Sequence, residues 1–357
     1  PTSETIIGDS FSKWINSYRD LPVLINQWAN VVRWEMRTRV FLRTSEFLWQ
    51  EGHTAHATED EALASTRMML DVYAELAEKD LAIPVIKGRK TVLERFPGAV
   101  DTLCVEAMMQ DRRALQAGTS HFLGQNFARA SGIRYQDANE QEQFAWTTSW
   151  GASTRLIGGL IMTHGDDNGI LLPPRVAPAH VVLLPIVRNA EERALVMPYV
   201  DRLAGALKEK HYGRRLIEVE IDARDIGGAR GWEWIKKGIP LRVEIGPRDI
   251  AAESVFVGRR DRDHREKVSV KRDRFVAEIT DILDSIQHAL FDRALAFQKT
   301  YTTVIDENRS FYDYFAPLNK EKPEIHGGFA LSHWCGDAAC ETAIKEDLGV
   351  TIRCIPF

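Results

Sequence analysis

The sequence predicts three successive domains: an α+β domain with a largely antiparallel sheet flanked by helices at residues 1–175, an α/β domain at residues 179–288, and a small α+β domain at residues 289–357. Two observations support this prediction. Strand-like segments gather in the first half of the chain, whereas buried strands and helices alternate after it. A stiff, proline-rich stretch at residues 172–178 separates the two patterns.

The elements of the first domain follow from the spacing of apolar residues. A helix is expected over residues 6–19, and Asp20-Leu21-Pro22 ends it. Strand patterns cover residues 23–50, and a long amphipathic helix follows over residues 59–79. Further strands, or a strand followed by a buried helix, are expected from residue 83 and at residues 116–129, 144–150 and 152–162.

The second domain begins with His180–Val187, a continuous apolar run that is typical of a strand buried on both faces. Helices and strands then alternate, as in α/β domains. The expected elements are a helix at 191–210, a strand at 216–221, a helix at 229–237, a strand at 241–245 and a last helix at 274–298. The third domain carries three of the four cysteines.

Composition and charge exclude several classes of protein. The formal net charge of −5 argues against a broad surface that coats polyanions, although it leaves room for a local nucleic-acid footprint. Four cysteines in 357 residues do not form the disulfide framework of a small secreted protein. Because we find no apolar run of transmembrane length and no signal peptide, we expect a cytoplasmic protein without a membrane partner.

Residues 33–56 are the most informative segment, because they alternate like paired strands and yet carry many charges. Arg33 and Glu35 are two residues apart and therefore point to one face of a strand, and Arg43 and Glu51 follow on the returning arm. An arginine fork binds phosphate, and a carboxylate accepts hydrogen bonds from an amine or an adenine amino group. The alternative is a ladder of cross-strand salt bridges on a solvated face.

Polar residues at the N-terminus and in the middle of the first domain form further candidate ligand contacts. Thr2, Ser3 and Glu4 precede a helix, where they could equally serve as a helix cap. Gln116, Thr119 and His121 lie in a glycine-flanked segment and offer neutral hydrogen-bonding groups, although a lone histidine is usually structural.

The segment from Ser149 to Arg155 combines a tryptophan, small residues and an arginine directly before an apolar helix. The arginine can stack on a flat ring, and the small residues leave room for a nucleotide. Neither the lysine nor the glycine spacing of a Walker A loop is present.

Two segments resemble metal sites. Cys335 and Cys340 could supply half of a tetrahedral zinc site, with Cys354 as a possible third ligand, or they are free structural thiols. His164–Gly169 has the residue types of a metal loop, but a polar β-turn is the favoured interpretation. The mixed-charge run at residues 258–274 is either a solvated hairpin or an edge that follows phosphates.

Together and in this order, these segments resemble class II aminoacyl-tRNA synthetases, and among them the prolyl-tRNA synthetases of the eukaryote/archaeal-like type. The resemblance rests on PTSET (1–5), a motif-2 segment (30–58), TSHFLGQNFARA (119–130), a motif-3 segment (149–159) and HGDDNGILLPPRVAP (164–178). Residues 231–249 resemble the anticodon-binding domain of the family. The resemblance implies that ATP and L-proline form prolyl-adenylate, and that prolyl then passes to the 3′ end of tRNA(Pro).

The resemblance also implies a role for each matched residue. The expected ATP contacts are Arg33, Glu35, Arg43, Thr44, Gln116, Thr119, Ser153 and Arg155. The expected proline contacts are Thr2, Glu4, Arg33, Trp49, Glu51, His121 and Ser149. Arg33 and Arg155 are the expected catalytic residues, ATP is expected with Mg²⁺, and Cys335 and Cys340 are the possible structural zinc ligands.

The chain also departs from the family pattern. Motif 1 is absent before PTSET and a second cysteine pair is absent after RCIPF, so we expect a truncated version of a longer protein that is a homodimer at full length. The interval between Glu51 and Gln116 is too short for a large editing domain, so mischarged alanine is expected to be cleared elsewhere. The alternatives are a threonyl- or glycyl-type synthetase and a non-catalytic, synthetase-like protein that binds tRNA or a regulatory partner.

Overall fold

The structure is a computed structural model that describes residues 2–317, 319 and 327–357. These residues form two compact units. The first unit contains the residues up to Ala77, Pro84–Gly159 and Phe297–Phe357, and the second contains Glu78–Ile83 and Leu160–Ala296. The three domain boundaries expected from the sequence stay a prediction. None of the described helices is long and apolar enough to cross a membrane.

The N-terminal part of the chain supplies most of the first unit. Its elements are α1 (Ser3–Trp14), β1 (Val23–Val32), β2 (Glu46–His56), α2 (Glu59–Glu75), β3 (Val85–Arg89), β4 (Asp101–Met108), β5 (Ala114–Gly124), α3 (Asn126–Ser131), β6 (Arg134–Gln136), β7 (Glu142–Phe144), β8 (Trp146–Ser153) and α4 (Arg155–His164). The division between the two units falls within α4.

The second unit continues with β9 (Val181–Pro185), α5 (Ala190–Lys208), β10 (His211–Tyr212), β11 (Arg215–Leu216), β12 (Val219–Ile221), α6 (Ala229–Lys236), β13 (Leu241–Ile245), α7 (Pro247–Ala251), β14 (Ser254–Arg259), β15 (Lys267–Lys271) and α8 (Arg272–Thr300). The chain then returns to the first unit with β16 (Thr302–Val304), α9 (Asn308–Phe315), β17 (Phe329–Leu331), α10 (Ala338–Leu348) and β18 (Ile355–Pro356).

A seven-stranded antiparallel sheet forms the centre of the first unit, in the order β1-β2-β8-β5-β4-β3-β18. Helix α2 covers one face, where Leu70 and Tyr73 pack against Leu103, Val105 and Ala117. This burial agrees with the amphipathic pattern of the helix and leaves the opposite face of the central strands to polar side chains.

The ends of several elements differ from the sequence-based expectation. Helix α1 stops at Trp14, because the backbone N–H groups of Asn16 and Ser17 bond to the Asp20 carboxylate in a separate 3₁₀ turn. Short polar side chains of this kind compete with helical hydrogen bonds. Strand β5 ends at Gly124, whose φ of +59° suits glycine, and the short helix α3 follows.

The second unit contains a five-stranded sheet in the order β12-β9-β13-β14-β15, in which β9 is parallel to β12 and β13. Strand β9 is buried along its whole length, as its continuous apolar sequence predicts. On one face, Val181 and Leu183 join a core with Phe275 and Leu283 of α8. Fold class is thus confirmed: an antiparallel sheet domain is followed by an α/β domain.

Candidate active site

The pairing register gathers most of the expected ligand contacts on one face of the seven-stranded sheet, which we call the ligand face. Glu51 lies opposite Gln27 on β1 and Gly151 on β8, and Gly151 lies opposite Thr119 on β5. In the neighbouring row, Ser149 on β8 lies opposite both His53 and His121. Because residues two apart along a strand share a face, the two rows lie side by side on the face opposite α2.

A β-bulge brings Gln116 onto the same face. The register shifts between Val105 and Glu106, so that Glu106 lies opposite Gln116 and Cys104 lies opposite Thr119. Both intervening residues face α2: Ala117 belongs to its core cluster, and a Cβ on Gly118 would lie 3.1 Å from Tyr73. Strict alternation along β5 would turn Gln116 towards α2. The bulge therefore keeps Gln116 on the same face as Thr119.

Two carboxylates lie at the end of this face near α1. Ser149 Oγ donates a hydrogen bond of 2.8 Å to Glu4 Oε1, and the Thr2 hydroxyl donates to the other oxygen of Glu4. Glu51 is 5% exposed; it accepts a hydrogen bond from the Gln27 amide, and its Oε2 lies 3.5 Å from His53 Nε2. Burial raises the pKa of Glu51, but the contacts with His53, Ser3 and Gln27 outweigh burial and hold that pKa below its usual value.

His121 lies between these acids and strand β4. Its Nδ1 is 2.9 Å from Thr102 Oγ1, and its ring lies 4.7 Å from the Phe96 ring. Burial lowers the pKa of His121 to about 4, although the charge of Glu4 opposes the shift. The imidazole is therefore neutral at physiological pH, so the local charge at this end of the face is negative and suits a cationic group.

Three arginines converge beyond the ends of the strands. The Arg33 guanidinium lies 4.8 Å from the centre of the Phe47 ring, and Arg43 Nε is 3.4 Å from Glu35 Oε2. Arg155 Nε donates a hydrogen bond of 3.1 Å to Leu42 O. Burial lowers the pKa of Arg155, and the positive charges of Arg33, Arg43 and Arg353 lower it further. Such mutual repulsion predicts that an anion between these groups is bound favourably.

The remaining expected contacts are Ser153, Trp49 and Thr44. Ser153 Oγ accepts from the backbone N–H of Arg155 at 3.3 Å, and so it ties β8 to the start of α4. Trp49 lies opposite Ser153, and its ring forms a T-shaped pair with Phe47 at 5.7 Å between ring centres. Its buried Nε1 has no acceptor among the described residues. Thr44 is partly buried beside Arg43.

Comparison with known proteins gives a consistent result. Family models match for the tRNA synthetase class II core domain (G, H, P, S and T) at residues 1–164, the anticodon binding domain at 180–282 and the prolyl-tRNA synthetase C-terminal domain at 320–357. A proline–tRNA ligase 2 of Anaeromyxobacter dehalogenans is 60% identical over all of this chain and 71% of its own length, and a proline–tRNA ligase of Bdellovibrio bacteriovorus is 58% identical with the same coverage. The chain belongs to the proline–tRNA ligase family.

Solved structures of the family agree. Prolyl-tRNA synthetase from Cryptosporidium parvum, complexed with L-proline and AMP, superposes with a TM-score of 0.89 at 39% identity, over 100% of this chain and 71% of that one. The same enzyme with halofuginone and AMPPNP gives the same score over 70% of its length. The core-domain model is shared by several amino-acid types, so the C-terminal model and the relatives decide against the threonyl and glycyl alternatives.

Sequence reasoning missed several residues of this ligand face. His53 follows Trp49 and Glu51 at strand spacing and is 3% exposed, so the period of two could have identified it. Gln27 and Thr102 carry no local signal, because only the pairing of distant strands brings them to the face. Gly151 leaves the floor between Glu51 and Thr119 without a side chain.

Within the described part of the chain, neither of the two metal-like segments completes a set of metal ligands. Cys335 and Cys340 are exposed, and among the described residues no three histidines, cysteines or acidic groups come together. Cys354 contacts Cys104 instead. Asp166 closes a turn with Gly169 and forms a two-bonded ion pair with Arg260 at 2.8 and 2.6 Å, so this segment is the expected β-turn.

The mixed-charge run forms the hairpin of β14 and β15 in the second unit. Many of its basic side chains are paired with carboxylates, within the run as for Arg259 on Asp261 at 2.8 Å and Arg265 on Asp263 at 3.1 Å, or outside it as for Lys267 on Glu244. Arginines already paired with carboxylates have little free charge for phosphates. The structure therefore favours the solvated hairpin over an edge that follows phosphates.

Proposed function

We propose that this chain activates L-proline with ATP on the ligand face of the seven-stranded sheet and transfers prolyl to the 3′ end of tRNA(Pro). The observation that carries the proposal is the separation of charge along this face. The buried Glu51 and the half-buried Glu4 of α1 lie at one end, whereas Arg33, Arg43 and Arg155 converge at the other end. A zwitterionic amino acid and a polyanionic nucleotide fit such a face only with the amine at the acids and the phosphates at the arginines.

The nucleotide half uses the eight residues expected from the sequence. Arg33 holds the α-phosphate and the amino-acid carboxylate, and Arg43 and Thr44 contact the phosphate tail. Glu35 accepts from the adenine amino group, and Arg155 stacks on the base, held in place by its bond to Leu42 O. Gln116, Thr119 and Ser153 add neutral hydrogen bonds from the sheet and the start of α4.

The amino-acid half has a cation-binding end and a flat wall. Glu4 binds the secondary ammonium of proline, and hydrogen bonds from Thr2 and Ser149 hold the Glu4 carboxylate in place. Glu51, fixed by Gln27 and His53, adds a second negative charge. Trp49 and neutral His121 supply apolar surface for the ring.

The chemistry needs no general base from the protein. The proline carboxylate is already ionised and attacks the α-phosphorus in line, while the bond from that phosphorus to the bridging oxygen breaks and pyrophosphate leaves with the electron pair. The chain therefore contributes positioning and charge stabilisation by Arg33 and Arg155. Mg²⁺ neutralises phosphate charge when it is bound. The described residues fit an ion carried mainly by substrate phosphates, because Mg²⁺ keeps several waters and needs few carboxylates.

We also propose a homodimer and a cytoplasmic location. The family resemblance motivates the dimer, and apolar side chains around the edge strand β1 support it: Trp28 is 83% exposed, Leu48 is 61% exposed and Val72 is 47% exposed. Apolar groups in such a cluster usually mark an interaction surface. Sedimentation at several protein concentrations tests the dimer, and a monomer at micromolar concentration contradicts it.

We keep zinc as a proposal limited to Cys335 and Cys340. They supply two of the four donors of a structural zinc site, and the described residues do not complete the set. Measuring the zinc content of the purified chain and of Cys335→Ser tests whether these cysteines bind zinc. Equal zinc content in both proteins contradicts the proposal.

Proline-dependent exchange between ATP and pyrophosphate tests the activation step directly. We expect exchange with proline and not with threonine or glycine. Arg33→Ala should lower the exchange rate by about 10²–10³-fold, because it removes charge stabilisation in the transition state. It should leave tRNA binding largely intact. Arg19→Ala, at an exposed position, is the matched control. Exchange that persists in Arg33→Ala refutes the role assigned to Arg33.

A further inference from the structure

A buried ion network lies next to the nucleotide half of the ligand face. Glu106 on β4 is 1% exposed, and its Oε1 accepts a hydrogen bond of 2.8 Å from Lys90 Nζ. Arg353 Nε and Nη2 donate to Glu106 Oε2 at 3.1 and 2.8 Å. Lys90 Nζ also donates to the backbone oxygen of Arg353 at 2.7 Å. The half-buried Arg353 is thus bonded to a carboxylate and an ammonium group that are buried in the sheet domain.

The network is adjacent to two proposed nucleotide contacts. Glu106 lies directly opposite Gln116 in the pairing of β4 with β5, at the bulge that sets the orientation of Gln116. The charges of Arg353 and Glu106 both act on Arg155. A change in the position of Glu106 therefore reaches the nucleotide site through the β4–β5 pairing and through the local electrostatic field.

The segment that carries Arg353 is firmly attached to the sheet. Ile355 in β18 pairs with Arg89 in β3, and the N–H of Phe357 donates to Lys87 O at 3.2 Å. Glu341 of α10, only 3% exposed, accepts a hydrogen bond of 2.8 Å from Thr91 Oγ1. Backbone pairing and a buried side-chain contact together hold the segment in a fixed register.

The charge balance of the network favours an anion nearby. Lys90 and Arg353 bring two positive charges to the single carboxylate of Glu106. Lys90 is 2% exposed, and the Arg353 side chain is 34% exposed. Because excess charge in a poorly hydrated place is unfavourable, a bound polyphosphate stabilises the group.

We propose that Arg353 is a positioning residue of the nucleotide site, which acts through Glu106 on the strand pair that carries Gln116. The inference rests on the proposed function, since it needs a nucleotide on this face. It assigns to the C-terminal segment a part in ATP binding in addition to its place in the fold. Arg353 contacts Glu106 and the sheet, and it is not a group that reacts.

The test measures binding of AMPPNP by calorimetry and the KM for ATP and for proline in the exchange reaction. Arg353→Gln should weaken AMPPNP binding and raise the KM for ATP about tenfold, less than the about hundredfold cost of a 1 Å displacement of reacting groups. The KM for proline and kcat should change less than about threefold. Arg353→Lys, which keeps the charge, should restore part of the affinity.

Matched variants separate the possible outcomes. Arg134→Gln, which removes the exposed pair with Glu142, should leave both KM values unchanged. Thermal unfolding identifies a merely structural role, in which Arg353→Gln is less stable but binds AMPPNP like the unchanged chain; that result overturns the inference. If Arg353→Gln unfolds, Arg353→Lys and Glu106→Gln are compared instead, and unchanged nucleotide affinity in both also overturns it.

Failure of the proposed function is distinguishable from failure of this inference. If Arg33→Ala loses nucleotide binding while Arg353→Gln keeps it, only the role of Arg353 is wrong. If Arg353→Gln loses nucleotide binding while Arg33→Ala keeps it, the assignment of Arg33 is wrong and the inference stands. A chain that binds no AMPPNP overturns both.

Discussion

Glu4 and Ser149 are joined by a hydrogen bond of 2.8 Å between the first helix and the central strand β8. Their positions in the sequence are 145 residues apart. The bond fixes an acidic side chain from α1 at the edge of a face that the sheet strands form. The proposed amine site is therefore built by two distant segments, and either one alone is incomplete.

Glu4→Gln tests this amine site. The substitution keeps the shape of the side chain and the bond with Ser149, but it removes the charge that binds a secondary ammonium. We expect the KM for proline to rise about 10- to 100-fold, because a hydrogen bond to a charged group contributes about 1.5–3 kcal/mol. The KM for ATP should change little. Asp9→Asn on the same helix, where Asp9 is exposed and paired with Lys13, is the control. An unchanged KM for proline contradicts the role of Glu4.

Gly151→Val tests whether the open floor between Glu51 and Thr119 is needed. A Cβ at this position lies 3.3 Å from Gln50 O and 3.8 Å from Glu51 Cβ, so the strand must shift by a few tenths of an ångström, and the added methyl groups occupy ligand space. We expect the kcat/KM of exchange to fall at least about 100-fold while the circular dichroism spectrum is kept. Gly205→Val on α5, where a Cβ meets nothing within 4 Å, should have little effect. Full activity of Gly151→Val means that substrates bind elsewhere.

Gly52→Ala tests the packing on the opposite face of the same strands. A Cβ there would lie 2.0 Å from the Trp150 ring, so the ring or the strand must shift. Overpacking of this kind costs about 1–3 kcal/mol or more of the free energy of unfolding. Urea denaturation measures it, with Gly231→Ala as the control at an open position. Equal stability of Gly52→Ala would show that Trp150 relaxes freely.

His164→Gln tests the pH dependence of the second unit. Burial lowers the pKa of His164 to about 4, against an ordinary 6.5, although its bond to Leu81 O opposes the shift. The unfolded chain takes up a proton between pH 6.5 and 4 that the folded chain does not. Stability that is present above pH 6.5 is therefore lost as the pH falls, by up to about 1.4 kcal/mol per pH unit for one such group.

In His164→Gln the amide can keep the bond to Leu81 O but cannot titrate. We expect the slope of the free energy of unfolding against pH, between pH 6.5 and 4, to decrease by about one proton relative to the unchanged chain. His288→Gln, at an exposed position of α8, is the matched control. The prediction is wrong if His164→Gln has the slope of the unchanged chain.

Elements with a strong period were predictable from the sequence. The buried strand β9 follows from an unbroken apolar run, and α8 follows from apolar residues at helical spacing, because both patterns repeat within one element. Strands β1 and β2 were recognisable for the same reason, but the expectation that Arg33 and Glu35 lie on a strand was wrong, because β1 ends at Val32 and both residues lie in the connection to β2. The limits of elements were less predictable: α1 ends at Trp14 because the Asp20 carboxylate binds the next two free backbone N–H groups.

The sequence by itself determined the chemical types at the site: arginines for phosphate, acids for an amine, and small residues where a ligand must fit. Only the tertiary structure decided which of them meet. The register of β1, β2 and β8 places Gln27 and Gly151 beside Glu51, and the pairing of β18 with β3 brings Arg353 to Glu106. The physical reason is that periodicity is a local property of the chain, whereas register depends on how distant strands bury their apolar faces together.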